Sequence, residues 1–198
     1  MMYHQPVLLS ESIEGLKLKK GGIYIDATYG GGGHSREILK HIGEGSLIAF
    51  DQDEDAIKNK LDDERLILIN QNFRFMRNFL KLYRAIPVDG ILADLGISSY
   101  QIDQPNRGFS VRYEGELDLR MNRRKSLTAA DIINEYPVSR LREIFYNYGE
   151  LENYKKIATE IEHARSKEKI RMTTQLIEAT RFCAPKGSEN KFYAKLFQ

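Results

Sequence analysis

The chain has 198 residues, 41% of them hydrophobic and 29% charged, which is enough to bury one sizeable core with a soluble surface around it. Its formal charge of +2 excludes a generally cationic surface, so any nucleic-acid partner has to be held by a local basic patch. No apolar run approaches the length of a bilayer span, and the opening MMYHQPVLLSE lacks the basic and apolar regions of a secretory signal, so no membrane partner and a cytoplasmic location are expected. The single cysteine, Cys183, rules out an internal disulfide and reads as a small core residue. His4, His34, His41 and His163 have no metal-ligand spacing with cysteine or paired carboxylates, and no metal is expected.

In chain order, Gly21-Gly22 leads into residues 23–28, a β-branched and aromatic run that predicts a strand. Four glycines, Gly30 to Gly33, follow, and then a helix through residues 34–42 with apolar positions at 38, 39 and 42, closed by Gly43. The pattern repeats. Residues 46–50 form a second strand ending at Asp51, with a polar helix over 55–61; residues 66–69 form a third strand. Apolar residues at 73, 76, 79, 80 and 83 predict a helix, and residues 88–93 a fourth strand ending at Asp94. Strands alternating with helices mean a parallel α/β sheet. From about Pro105 the strands give way to short helices: one capped by Ser126 or Thr128, one from Ser139 to Gly149, one with Leu151, Tyr154, Ile157, Ala158 and Ile161 on a single face, and one capped at Thr173-Thr174. The expected organisation is an α/β core over 1–104, a helical insertion over 105–190, and the start of a return to the core over 191–198.

The glycine turn lies where an open α/β sheet binds ligands, at the carboxyl end of the first strand and the start of the first following helix. Glycines there allow positive φ and close backbone approach, and helix amides favour an anion, carboxylate or phosphate alike. The G-x-G-x-x-G fingerprint fails because Ser35 or Arg36 stands where its last glycine belongs, and no Gly-Lys-Ser/Thr follows to make a P-loop. A nicotinamide-dependent oxidoreductase is therefore disfavoured. Asp51, about 20 residues beyond the glycines, is placed to accept hydrogen bonds from ribose hydroxyls, which fits an adenosine ligand without a pyrophosphate. Asp94, at the end of the fourth strand, either binds the cofactor or accepts the N–H groups of an exocyclic base amine during an in-line transfer. His34 either donates to the cofactor or serves as a polar helix cap. Arg107, Arg112, Arg120, Arg123, Arg124 and Lys125, with Phe109 and Tyr113 interleaved, make a basic patch suited to RNA or, more plainly, a solvated face.

Taken together, these stretches closely resemble the bacterial methyltransferases of the cytosine N4 amine in small-subunit ribosomal RNA. The resemblance runs through His4-Gln5-Pro6-Val7, Asp26-Ala27-Thr28, Gly31-Gly32-Gly33-His34-Ser35 and Phe50-Asp51-Gln52-Asp53. It continues through residues 89–99 with Gln101, then Arg107-Gly108-Phe109-Ser110, residues 117–121 and Tyr148-Gly149-Glu150, covering nearly the whole chain. It implies a class I S-adenosylmethionine-dependent methyltransferase fold, Rossmann-like, with a helical insertion that serves substrate recognition. It also implies ribosomal RNA or the small ribosomal subunit as partner, and cofactor contacts from Gly32, Gly33, His34, Asp51, Phe73, Asp94 and Gln101, with Phe73 packed on the adenosine. Asp94 is the candidate catalytic residue, although Asp94-Leu95-Gly96-Ile97 lacks the prolines and aromatic that DNA amine methyltransferases carry at this place. The family continues beyond the point matching Phe197-Gln198, so the chain is expected to be a C-terminally incomplete member with its fourth strand left as a sheet edge. A non-catalytic cofactor- or RNA-binding fragment is the alternative.

Overall fold

The computed structural model describes residues 6–198; His4 and Gln5, which open the first family-like stretch, lie outside the described residues. The elements of the first half are α1 (Leu9–Leu16), β1 (Ile23–Asp26), α2 (Gly33–His41), β2 (Ser46–Phe50), α3 (Glu54–Ile57), β3 (Leu66–Ile69), α4 (Met76–Leu82) and β4 (Gly90–Leu92), with a 3-10 turn at Phe73–Phe75 leading into α4. The strands pair in the order β3-β2-β1-β4 and all run parallel, with Ile25 beside Ile48 on one side and Ile91 on the other.

Parallel strands joined by helices are covered on both faces, which is why residues 23–25 of β1 and 47–50 of β2 are aliphatic, aromatic or alanine without a polar alternation. On one face Tyr24, Leu47 and Leu66 pack against Ile38, Leu39 and Ile42 of α2 and its C-terminal end. On the other, Ile25, Ile48, Phe50 and Ile69 meet Leu80 of α4, and Phe50 and Phe79 stack edge to face at 5.9 Å. Full burial of an aliphatic side chain contributes about 1.5–3 kcal/mol. β4 is covered on one edge only, and Ile91, Leu95 and Ile97 around it are exposed.

The chain divides into two compact units, one running through Ser98 and taking in Met121–Arg123, the other comprising Ser99–Arg120 and Arg124–Gln198. The second unit is helical, with α5 (Ser99–Ile102), α6 (Ala129–Glu135), α7 (Val138–Asn147), α8 (Tyr154–Arg165), α9 (Thr173–Thr180) and α10 (Glu189–Phe197), and 3-10 turns at Pro105–Arg107 and Arg181–Cys183. Its core gathers Leu117, Leu141, Phe145, Ile157, Ile161 and Leu176. Two boundaries differ from the sequence expectation. The division falls at Ser98, against the expected residue 104, and residues 191–198, the expected start of a return to the core, cluster with the second unit. Phe192, Leu196 and Phe197 share one face of α10 and lie in the helical core, since an i, i+4, i+5 spacing buries best against other helices. Cys183 is buried there, and burial pushes its thiol pKa up, away from reactivity.

The cap of α6 is Thr128. Its hydroxyl accepts from the Asp131 N–H at 3.1 Å while the Asp131 carboxylate accepts from the Thr128 N–H at 2.8 Å, a reciprocal capping box. Thr128→Ala is expected to lower stability by about 1 kcal/mol, read as a shift of the denaturant midpoint at constant slope.

Candidate cofactor site

The turn after β1 is held by side chains at its two ends. Asp26, at the last position of β1, is fully buried; its carboxylate accepts from the Ser35 hydroxyl at 2.7 Å and from the Thr28 N–H at 3.1 Å. It thereby ties the strand end to the first turn of α2. Burial raises its pKa above the ordinary carboxylate range, against the lowering effect of these two hydrogen bonds. Asp51 follows β2 and grips the turn from the other side. One carboxylate oxygen accepts from the Gly30 N–H at 2.8 Å and the other from the Asp53 N–H at 2.9 Å. Its pKa is also raised, again chiefly by burial. The carboxylate has more acceptor sites than these backbone donors occupy, so it can still accept from a ligand hydroxyl.

Gly32 precedes α2 with φ of 73°, in the left-handed region, and a β-carbon there would meet the Tyr29 hydroxyl at 2.6 Å. Tyr29 cannot yield, because its hydroxyl donates to the Asn59 carbonyl and accepts from the Leu61 N–H. Gly33 opens α2, and a β-carbon there would meet the Pro6 ring at 2.2 Å. The glycines thus hold space that any side chain would fill. The first amides of α2 have no carbonyl one turn earlier within the helix, and they point toward the turn.

His34 is buried, and its Nε2 stands 3.2 Å from the Val7 carbonyl, so the ring fastens the segment before α1 to the start of α2. Phe73 lies just past β3, 40% exposed, at the start of the 3-10 turn. That segment is moored to β2, since Asn70 donates to the Asp51 carbonyl and Asn72 to the Gln52 side chain. Asp94 follows β4; its backbone N–H donates to the Thr28 hydroxyl at 2.7 Å, and its side chain is exposed. Gly32, Gly33, His34, Asp51, Phe73 and Asp94 therefore all lie at the carboxyl ends of the strands of one unit. Gln101 belongs to the other unit, buried in α5.

Three residues with a part in this arrangement escaped the sequence reading as site residues: Asp26, Thr28 and Ser35. The signal for the first was available, an acid ending a buried strand immediately before a glycine turn. The basic patch needs correction. Arg107 is 1% exposed and donates to the Arg120 carbonyl, and Arg120 forms a paired contact with Asp118, so neither presents its charge on a surface. Arg107 is held by a backbone carbonyl, and Arg120 by the Asp118 carboxylate and the Lys125 carbonyl. Arg112, Arg123, Arg124 and Lys125 remain exposed.

A concavity of about 280 Å³ lined by Arg36, Leu39, Lys40, Leu61, Asp62, Asp63 and Arg65 gathers at the amino end of β3, the end of a parallel sheet opposite the ligand crevice. Arg65 is already committed there to Asp63 and the Gly43 carbonyl. Among the described residues no group of three or more His, Cys, Asp or Glu is placed to hold a metal ion, and no helix is long and apolar enough to cross a membrane.

Set against known proteins, the model of the MraW methylase family matches residues 1–198. The chain belongs to this family. It is 50% identical over its whole length to a protein of Flavobacterium johnsoniae named ribosomal RNA small subunit methyltransferase H, and 52% identical to the protein of the same name from Cytophaga hutchinsonii. The Bacteroides thetaiotaomicron protein of that name is 48% identical. The chain spans about two thirds of the length of these MraW-family relatives, with 66%, 67% and 66% of each covered.

Proposed function

We propose that this chain carries the cofactor core of an enzyme that moves the methyl group of S-adenosylmethionine to the N4 amine of a cytosine in small-subunit ribosomal RNA. The observation that carries the proposal is the double grip of Asp51 on the glycine turn, in a chain whose family and relatives are named as methylases. The residues fit the cofactor. Gly32 and Gly33 keep the turn open, the amides of α2 suit its carboxylate, Asp51 has lone pairs for its ribose hydroxyls, and Phe73 offers an exposed ring to its adenine. The family resemblance gives Gln101 a cofactor contact, and the other unit's exposed Arg112, Arg124 and Lys125 are assigned to substrate recognition by the same reading. A ribosomal substrate places the enzyme in the cytoplasm.

The bound cofactor supplies an electrophilic methyl on a positively charged sulfur. Asp94 does the work on the other side. The lone pair of an exocyclic amine is delocalised into the base, and an acceptor holding its N–H groups lets it turn toward the methyl. An amine that gains the methyl would shed a proton to that carboxylate or through it to solvent. Thr28 fixes the backbone from which Asp94 reaches out.

The test is methyl transfer to isolated small ribosomal subunits, with calorimetric titration of S-adenosylmethionine alongside and NADH as a comparison ligand. Saturable cofactor binding, no NADH binding and turnover are expected. Asp94→Ala should lower kcat about 10- to 100-fold, the effect of one transition-state hydrogen-bonding partner, with cofactor affinity within about two-fold. Unchanged turnover removes Asp94 from the reaction, and a matching loss of cofactor affinity makes it a cofactor ligand instead. The other reading, a protein that binds cofactor or RNA without turning over, is separated by the same pair of measurements.

A further inference from the structure

The segment from Arg74 to Ile86 presents a surface that the cofactor chemistry does not use. Between Glu64 and Asp89 the sequence contains no carboxylate, while Arg65, Arg74, Arg77, Lys81 and Arg84 all fall inside that interval. The last four are exposed. Arg77 and Lys81 are one turn apart on α4, Arg74 lies a turn before them and Arg84 just past the helix end, so a single stripe of positive charge follows the helix. Among the described residues no ion pair takes up any of these four side chains. The next carboxylate, Asp89, accepts from the Ile23 N–H at 2.9 Å and pairs with Lys19.

Aromatic and apolar groups are interleaved with the charges. The Arg74 guanidinium stacks on the Phe75 ring, 4.5 Å from its centre, and Phe75 itself is 37% exposed. Tyr83, Leu82 and Ile86 are exposed at the far end. A merely solvated helix face mixes charges of both signs and needs no aromatic surface. Cations without counter-charges beside open rings match the demands of single-stranded RNA, phosphates for the cations and base faces for the rings. In a chain with a net charge of only +2, so local an excess is itself unusual.

We infer that the α4 face is an RNA-binding surface of the cofactor unit, gripping the backbone of single-stranded RNA through Arg74, Arg77 and Lys81 while Phe75 stacks a base. The inference rests on the RNA reading of the function and adds to it a contact outside the insertion. Phe73, the proposed adenine cover, immediately precedes Arg74, so RNA held on this face approaches the strand ends where the methyl is delivered.

The experiment uses the full-length protein and a single-stranded RNA oligonucleotide, with affinity measured across a salt series. Replacing Arg74, Arg77 and Lys81 together by glutamine is expected to weaken binding at least ten-fold at moderate salt. The slope of log K against log salt should fall by about 2, since each phosphate contact to a single strand contributes about 0.7. S-adenosylmethionine affinity should stay within two-fold, which also certifies folding. A companion variant with Arg123, Arg124 and Lys125 changed to glutamine separates the two readings. If wild-type protein binds no RNA, the functional reading fails. If wild type binds, the companion variant weakens it and the α4 variant leaves affinity and slope unchanged, the α4 inference alone is overturned. Binding of anionic phospholipid vesicles that the α4 substitutions abolish, with RNA affinity intact, overturns it in favour of a lipid surface.

Discussion

Asp51→Ala is expected to weaken S-adenosylmethionine binding about 10²- to 10³-fold in calorimetric titration. Two contributions combine. The ligand loses hydrogen bonds to a charged acceptor, worth about 1.5–3 kcal/mol each. The turn also loses its fastening, because the same carboxylate accepts from the Gly30 and Asp53 amides. This second role makes a sharper forecast. In Asp51→Asn the amide nitrogen must face one of those two N–H donors, so the near-isosteric change should still cost at least about ten-fold. Affinity within two-fold of wild type in the asparagine variant would show that the turn does not depend on this grip.

Asp26→Ala is expected to destabilise the protein by about 2–4 kcal/mol, as it strands the buried Ser35 hydroxyl and the Thr28 N–H together. Asp26→Asn should be far milder. Its oxygen can accept from Thr28 and its nitrogen can donate to the Ser35 oxygen, without a charge in the core. The two variants also separate by pH. The folded-state pKa of Asp26 is raised by burial, so the native protein holds this proton at pH values where the unfolded chain has released it. Stability contributed by the protonated form is therefore complete below the unfolded carboxylate value of about 3.9 and is lost as pH rises through the raised folded value. Relative to Asp26→Asn, wild type should lose stability over that rise and stay lower above it. A gap between the two proteins that does not change from pH 4 to pH 8 in urea titrations would refute the assignment.

Much of the sheet was legible because buried parallel strands have little choice of residue. Residues 47–50 and 66–69 are continuous apolar runs, and β2 and β3 occupy those positions, β2 starting one residue earlier at Ser46. Asp51 and Asp94 stood out as acids closing such runs. The helix α1 was not legible, since it begins after Leu8 in the left-handed region with no capping side chain to announce it. The burial of Arg107 was not legible either. An arginine in a turn-rich stretch is ordinarily exposed, and only the tertiary fold supplies the carbonyl of Arg120. Asp26 was visible as a residue but not as a clasp, because its partner Ser35 reaches it only once the glycine turn doubles the chain back.

The order of strands distributes rigidity unevenly over the site. Gly32, Gly33 and Asp51 hang from β1 and β2, each flanked by neighbours on both sides within the four-stranded sheet, whereas Phe73 and Asp94 follow the outer strands β3 and β4. Opening an inner strand breaks two ladders at once, and opening an outer strand breaks one. In the proposed function, the half of the site assigned to ribose and carboxylate is thus a fixed mould, while the half assigned to adenine and the incoming base can breathe on faster timescales. Such a division lets one small molecule be gripped in a single pose while a large, irregular polymer is fitted against it by adjustment.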